Sequence, residues 1–145
     1  MKLVIQRVNF AKVEVNNEVV GEISKGILVF VGISSQYDES KLEWALNKVL
    51  KLRLWAKDDK GFRESVLDRG YDILVVSQFT LFGDCSNSNK PNFKDAMEFD
   101  KAKGIYDEFV SKLEESGLKV ETGAFGEMMI VSLENDGPVT IILEK

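Results

Sequence analysis

Histidine is absent from the 145 residues of this chain. Its absence removes the side chain that most often serves as a general base near neutral pH, and with it the usual partner of a serine or threonine nucleophile. A single cysteine, Cys85, cannot form an internal disulfide and reads as a small incidental residue, and without histidine a zinc site would have to be built from carboxylates, a poor zinc set. No structural metal is expected. Only two prolines are present, and no linker, repeat or low-complexity tract interrupts the chain, so a single domain over residues 1–145 is expected. Long apolar runs are missing too. The nearest, "GILVFVGI" (Gly26 to Ile33) and "YDILVV" (Tyr71 to Val76), fall well short of the roughly 20 residues that a membrane span needs. The opening "MKLVIQRVNF" breaks its apolar residues with Gln6 and Arg7 and offers no small-residue cleavage site, so neither a membrane partner nor a secretory signal is expected. These absences together predict a cytoplasmic protein. A net charge of −5 disfavours nonspecific nucleic-acid binding, although Lys48, Lys51, Arg53, Lys57, Lys60 and Arg63 gather in one stretch. The plainer reading of that stretch is a solvated helix face.

What is present begins with strands. "KLVIQRV" alternates, Asn16-Asn17 sits between two alternating runs as a hairpin turn would, and "GILVFVGI" is a buried strand opened by Gly26. The period then changes. Across "DESKLEWALNKVLKLRLWA" the residues Leu42, Ala45, Leu46, Val49 and Leu50 recur at helical spacing, and Ser40 with Glu43 reads as a capping box, predicting a helix of about four turns. "KDDKGF" reads as a turn and "YDILVVSQFTLF" as a central strand. A second helix is predicted from about Glu98 to Glu115, with Ala102, Ile105, Tyr106, Phe109 and Leu113 inward and Gly117 placed to stop it. Two final strands, "MMIVSLEN" and "PVTIILEK", are separated by "DG". The order βββ-α-β-α-ββ predicts an α+β fold: a mostly antiparallel, barrel-like sheet with two packed helices. Neither a phosphate loop nor a GxGxxG fingerprint is present, and no cofactor is expected.

Two stretches exceed what a plain sheet requires. One is Ser77-Gln78-Phe79-Thr80 at the end of a buried strand; the other is "NDGPVT", Asn135 to Thr140. Their ordinary readings are hydroxyls satisfying strand-end backbone and a simple turn. A Gly-Pro pair has a further capacity, because an X-Pro bond can be cis at modest cost and glycine leaves its backbone open to close approach.

"SQFTL" together with "NDGPVT" resembles the signature pair of the D-aminoacyl-tRNA deacylases, also called D-tyrosyl-tRNA deacylases. "GEISKGILVFVGI", "KVLKLRLW", "KPNF" and "ETGAFGEMM" follow the same family in order along the whole chain. The resemblance implies a homodimer of barrel-like subunits that hydrolyses the ester of D-aminoacyl-tRNA, and of mischarged glycyl-tRNA, with the active site at the interface. It implies that Ser77, Gln78, Phe79 and Thr80 line the catalytic pocket. Gly137 and Pro138 from the partner would screen the amino acid, Met129 would line the pocket, and Arg7 would brace the Gly-Pro segment. The family commonly carries a basic "TRKGNR"-like loop after the first motif, where this chain has "CSNSNK" and keeps only Lys90 of those charges. The proton problem has an answer in the substrate. An aminoacyl ester is already activated, so positioning, backbone oxyanion donors and the neighbouring ribose 2′-hydroxyl can suffice without a side-chain base. Thr80 could be a nucleophile or a positioning group. The alternatives are a dimeric module that binds tRNA without hydrolysis, and hydrolysis of a related small ester or amide.

Overall fold

The computed structural model of the chain describes residues 1–58 and 60–145. Its frame is set by β1 (Lys2–Val15), whose first half pairs antiparallel with β3 (Gly26–Gly32) and whose second half pairs with β2 (Glu18–Ile23). Asn16 and Asn17 turn the β1–β2 hairpin with φ of 52° and 66°, a left-handed pair that asparagine tolerates. β6 (Asp72–Ser77) runs parallel to β3, and β7 (Val120–Thr122) parallel to β6. The far edges then meet. A Cβ on Gly21 of β2 would stand 2.2 Å from the Thr122 carbonyl oxygen of β7, and Lys119 Nζ donates to the Glu22 carbonyl at 2.8 Å. Only a residue without a side chain allows that approach, which leaves the sheet nearly closed as a barrel.

Period-two alternation divides the core in two. Leu28, Leu74 and Val76 point into the barrel with Val8, Ala11, Val13 and Ile23. Their neighbours Ile27, Val29, Val31, Ile73 and Val75 point outward against the helices. Those helices are α1 (Glu39–Lys51), burying Leu42, Ala45, Leu46 and Val49, and α3 (Phe99–Glu114), burying Tyr106, Phe109 and Leu113. Tyr106 donates its hydroxyl to the Val75 carbonyl at 2.9 Å, joining α3 to the central strand. None of the helices among the described residues is long and apolar enough to cross a membrane.

The α+β class and barrel-like sheet match expectation, while several local features differ. The cap of α1 is Asp38, whose carboxylate accepts from the Ser40 amide at 3.0 Å; Glu43 instead meets Lys112 of α3 at 2.9 Å. The helix ends at Lys51 because Leu54 and Trp55 are drawn into the core as part of β4 (Arg53–Lys57). β4 pairs with β5 (Lys60–Ser65) as a hairpin in place of a simple turn, with Asp58 at φ 52°; Asp59, part of the predicted "KDDKGF" turn, lies outside the described residues. One turn of helix, α2 (Val66–Arg69), follows under a Ser65–Asp68 capping box. α3 is close to the predicted span, and Gly117 leaves it at φ 77°. The expected last two strands form one, β8 (Ile130–Glu144), which runs along the whole of β1. Both of its halves can pair with the same long neighbour, so the "DG" between them lies in a bulge where a simple turn between two strands was expected.

Candidate active site

At the end of β6 the Gln78 amide donates to the Val31 carbonyl at 2.8 Å, and the chain then tightens into a 3-10 turn over Phe79–Phe82. Leu81 N–H donates to Gln78 O at 3.3 Å and Gly83 N–H to Thr80 O at 2.9 Å. The N–H groups of Phe79 and Thr80 open this turn and have no backbone or side-chain acceptor among the described residues, as expected of a helical first turn. Thr80 is exposed, and its hydroxyl accepts from the Gln78 side-chain amide. Phe79 is 59% exposed and leans edge-on against Phe93 with centroids 5.1 Å apart.

Asp84, the nearest carboxylate in sequence to this turn, is otherwise engaged. Its backbone exchanges hydrogen bonds with Asn92 at 2.8 and 3.0 Å, and its side chain accepts from the Ser86 amide at 2.9 Å. Those Ser86 contacts hold the carboxyl below the usual aspartate range, making it a weaker base. Among the described residues, no group of three acidic or cysteine side chains is placed to hold a metal.

The second motif interrupts the β1–β8 ladder. Gln6 faces Thr140 and Val8 faces Asn135, so the four residues 136–139 stand opposite Arg7 alone. The Gly137–Pro138 bond in this bulge is cis, and Gly137 has φ 119°, a conformation that L side chains rarely adopt. Both residues are exposed, while Val139 turns back into the core. Arg7 braces the base of the bulge. Its Nε lies 2.9 Å from Asp136 Oδ2 and 3.3 Å from the Asp136 carbonyl, and its Nη1 donates to the Leu54 carbonyl at 2.5 Å. Asn135, with its amide turned to suit its neighbours, donates to the carbonyls of Val139 and Arg7 at 3.1 and 3.0 Å.

Within one chain the two motifs do not converge. Ser77 shares a row of the sheet with Val31, Leu3 and Leu143, whereas the bulge lies at Arg7, four residues along β1 and three strands across. At sheet spacings that is about 20 Å along the surface. Met129 packs against the interior cluster that Leu74 and Val76 of β6 share with Val13, and a Cβ on Gly123, whose amide donates to the Val75 carbonyl at 2.9 Å, would meet its Sδ at 2.7 Å.

A model of the family described as D-Tyr-tRNA(Tyr) deacylase matches residues 4–144. The chain belongs to that family. Similar proteins named D-aminoacyl-tRNA deacylase include one from Rippkaea orientalis, 48% identical over 100% of both chains, and one from Thermotoga petrophila, 49% identical over 99% of this chain and 97% of the relative. Among solved structures, one described as "c-Myc DNA Unwinding Element Binding Protein" superposes with a TM-score of 0.94 at 42% identity, covering 100% of this chain and 99% of that one. A probable eukaryotic D-amino acid tRNA deacylase superposes at 0.86 with 19% identity, covering 98% and 97% of the two chains, which shows a shared fold. In this D-Tyr-tRNA(Tyr) deacylase family member, Ser77, Gln78, Phe79 and Thr80 lie together where β6 ends, and Met129 packs on the barrel interior. Arg7, Gly137 and Pro138 lie together at the β1–β8 bulge. Sequence reading passed over Asp136, the Leu54 carbonyl and Phe93. The first was within reach, since pairing the first and last strands sets Arg7 opposite "NDGP"; the other two depend on tertiary placement.

Proposed function

We propose that this protein hydrolyses the ester joining a D-amino acid, or glycine, to the 3′-terminal adenosine of tRNA. Water adds to the ester carbonyl, the bond to the ribose oxygen breaks, and the products are the free amino acid and tRNA. The observation that carries this reading is the pair of N–H groups of Phe79 and Thr80 at an exposed turn, which have no acceptor among the described residues and are free to stabilise a carbonyl oxygen acquiring negative charge. Thr80, paired to Gln78, positions the water or the amino group. With Asp84 held by Ser86 and no histidine in the chain, the ribose 2′-hydroxyl of the substrate orients the attacking water.

The separation of the motifs within one chain supports a homodimer in which each Gly137–Pro138 bulge enters the partner's Ser77–Thr80 site. There the exposed Gly137 and Pro138 carbonyls hold the α-amino group, and an L side chain would collide with the main chain whereas a D side chain projects outward. Selection by exclusion predicts tolerance across D-amino acids. The reading further assigns a single domain acting in the cytoplasm, in proofreading of translation.

The test is amino acid release from matched D-, L- and glycyl-tRNA by the purified protein, with a 2′-deoxy terminal adenosine as control. Release of the D-amino acid and of glycine, retention of the L-form and loss of activity with the 2′-deoxy end are expected. Retention of tRNA without release from any substrate would replace hydrolysis with a tRNA-binding role.

A further inference from the structure

The end of α1 and the β4–β5 hairpin together carry a positive surplus in an acidic protein. Residues 48–65 hold six Lys and Arg against Asp58, Asp59 and Glu64, in a chain of net charge −5. Lys51, Arg53, Lys57, Lys60 and Arg63 are exposed. Among the described residues only Lys57 of these has a carboxylate within 4.0 Å, and that group, Glu64, also pairs with Arg69. Lys51, Arg53, Lys60 and Arg63, which pair with no carboxylate among the described residues, leave a field that suits a polyanion. Between Lys60 and Arg63 stands Phe62, 56% exposed. A bare ring beside cations is the combination that binds nucleic acid, the charges meeting phosphates and the ring stacking on a base.

Position adds to composition. The guanidinium that braces the Gly137–Pro138 bulge also takes the Leu54 carbonyl of β4, and Leu54 and Trp55 are buried in the same core as Val139. Hairpin and bulge are therefore joined through Arg7. Lys57 faces Lys60 at the hairpin tip, three residues from Leu54, or about 10 Å along the strand. That reach spans about three phosphates of a duplex strand.

We propose that the β4–β5 hairpin is an RNA-contact arm that grips the backbone of the tRNA acceptor stem while the adjoining bulge screens the aminoacyl end. The assignment rests on the deacylase reading for its substrate, and it places arm and bulge of one subunit together over the Ser77–Thr80 site of the other. Phosphate contact here would compensate for the sparse charge of residues 85–90, where Lys90 is the one cation.

The experiment compares wild type with Lys60→Glu/Arg63→Glu, with the milder Lys60→Gln/Arg63→Gln, and with Lys101→Glu on α3 as a surface-charge control. Two substrates are used: D-tyrosyl-tRNA and the D-tyrosyl ester of adenosine, which has no phosphate. Charge reversal is expected to raise KM for the tRNA about tenfold or more and to reduce the slope of log affinity against log salt by about 2. Hydrolysis of the adenosine ester should stay within about twofold, the Gln pair should be intermediate, and Lys101→Glu should change neither. Equal losses on both substrates, or an unchanged KM and slope for tRNA, would overturn the arm. Binding of uncharged tRNA to the same proteins reads the arm without turnover. Weaker binding by the reversed variant supports the arm even if wild type releases no amino acid, an outcome that sinks the deacylase reading alone. Undiminished binding removes the arm and leaves that reading intact.

Discussion

Replacing Arg7 with methionine removes the guanidinium while keeping an unbranched apolar stem in its place. Three acceptors lose their donor: the Leu54 carbonyl, the Asp136 carbonyl and the Asp136 carboxylate. Each backbone carbonyl left without its partner costs about 1 kcal/mol. The Asp136 side chain is 34% exposed, so water recovers much of its solvation, and the ion pair counts nearer the roughly 0.5–1 kcal/mol of a surface pair than the several of a buried one. The total is about 2–3 kcal/mol, or about 6–9 °C in Tm for a domain of this size. Asp136→Asn keeps both backbone contacts and should cost less than about 1 kcal/mol. The effect on function should be larger than that on stability. A bulge displaced by about 1 Å lowers kcat/KM on D-aminoacyl-tRNA on the order of 100-fold, and the preference for D over L should fall with it. Thermal melts and single-turnover release on both variants provide the assay. A Tm for Arg7→Met within about 2 °C of wild type, or a loss in Asp136→Asn as great as in Arg7→Met, would refute the reasoning.

Thr80→Ala should lower turnover by about tenfold or less, the worth of one positioning hydrogen bond, with no covalent intermediate. Loss of all turnover, together with an acyl group trapped on wild-type Thr80, would make Thr80 the nucleophile. Gly21→Ala pushes a methyl group to 2.2 Å from the Thr122 carbonyl oxygen and should destabilise by about 1–3 kcal/mol in urea titrations, by prising β2 from β7. Tyr106→Phe should cost only about 0.5–1 kcal/mol, because the Val75 carbonyl that loses the hydroxyl still accepts from the Gly123 amide at 2.9 Å. Asp68 accepts from Ser65 N–H at 2.8 Å and from its hydroxyl at 2.7 Å, which holds the carboxyl below the usual range. The stability this confers is complete above the ordinary aspartate pKa and lost as pH falls through the lower folded value. Ser65→Ala removes the hydroxyl but keeps the N–H donor, so it should flatten only part of the acid side of a plot of Tm against pH.

Elements whose pattern serves one purpose were legible from residues alone. The unbroken apolar runs of β3 and β6 reflect burial on both faces, the helical spacing in α3 reflects burial of one, and the asparagine pair declared its hairpin. Legibility failed where two periods overlapped. "KVLKLRLW" keeps helical spacing into a segment whose Leu54 and Trp55 are claimed by the core from an extended strand, so β4 is hidden behind the helix that precedes it. Asp38 displaced Ser40 as the cap because cap identity depends on where the backbone turns helical, which local pattern leaves loose. The motif residues were recognisable by type and order. Their separation across three strands was not, because it follows from the register of strands far apart in sequence.

The pairing of β1 with β8 also fixes when the fold can be finished. Lys2 pairs with Glu144, and the Met1 amino group donates to the Lys145 carbonyl at 2.6 Å, so the first strand made finds its longest partner in the last. Contacts of such sequence separation form late and slowly. On a ribosome, β1 must wait with Val8, Ala11 and Val13 unsheltered on one side until residues 130–144 emerge, which exposes the nascent chain to aggregation and favours holding by a chaperone. The Arg7–Asp136 brace joins the same two strands, so a chain halted short of β8 is left with an open barrel and no bulge.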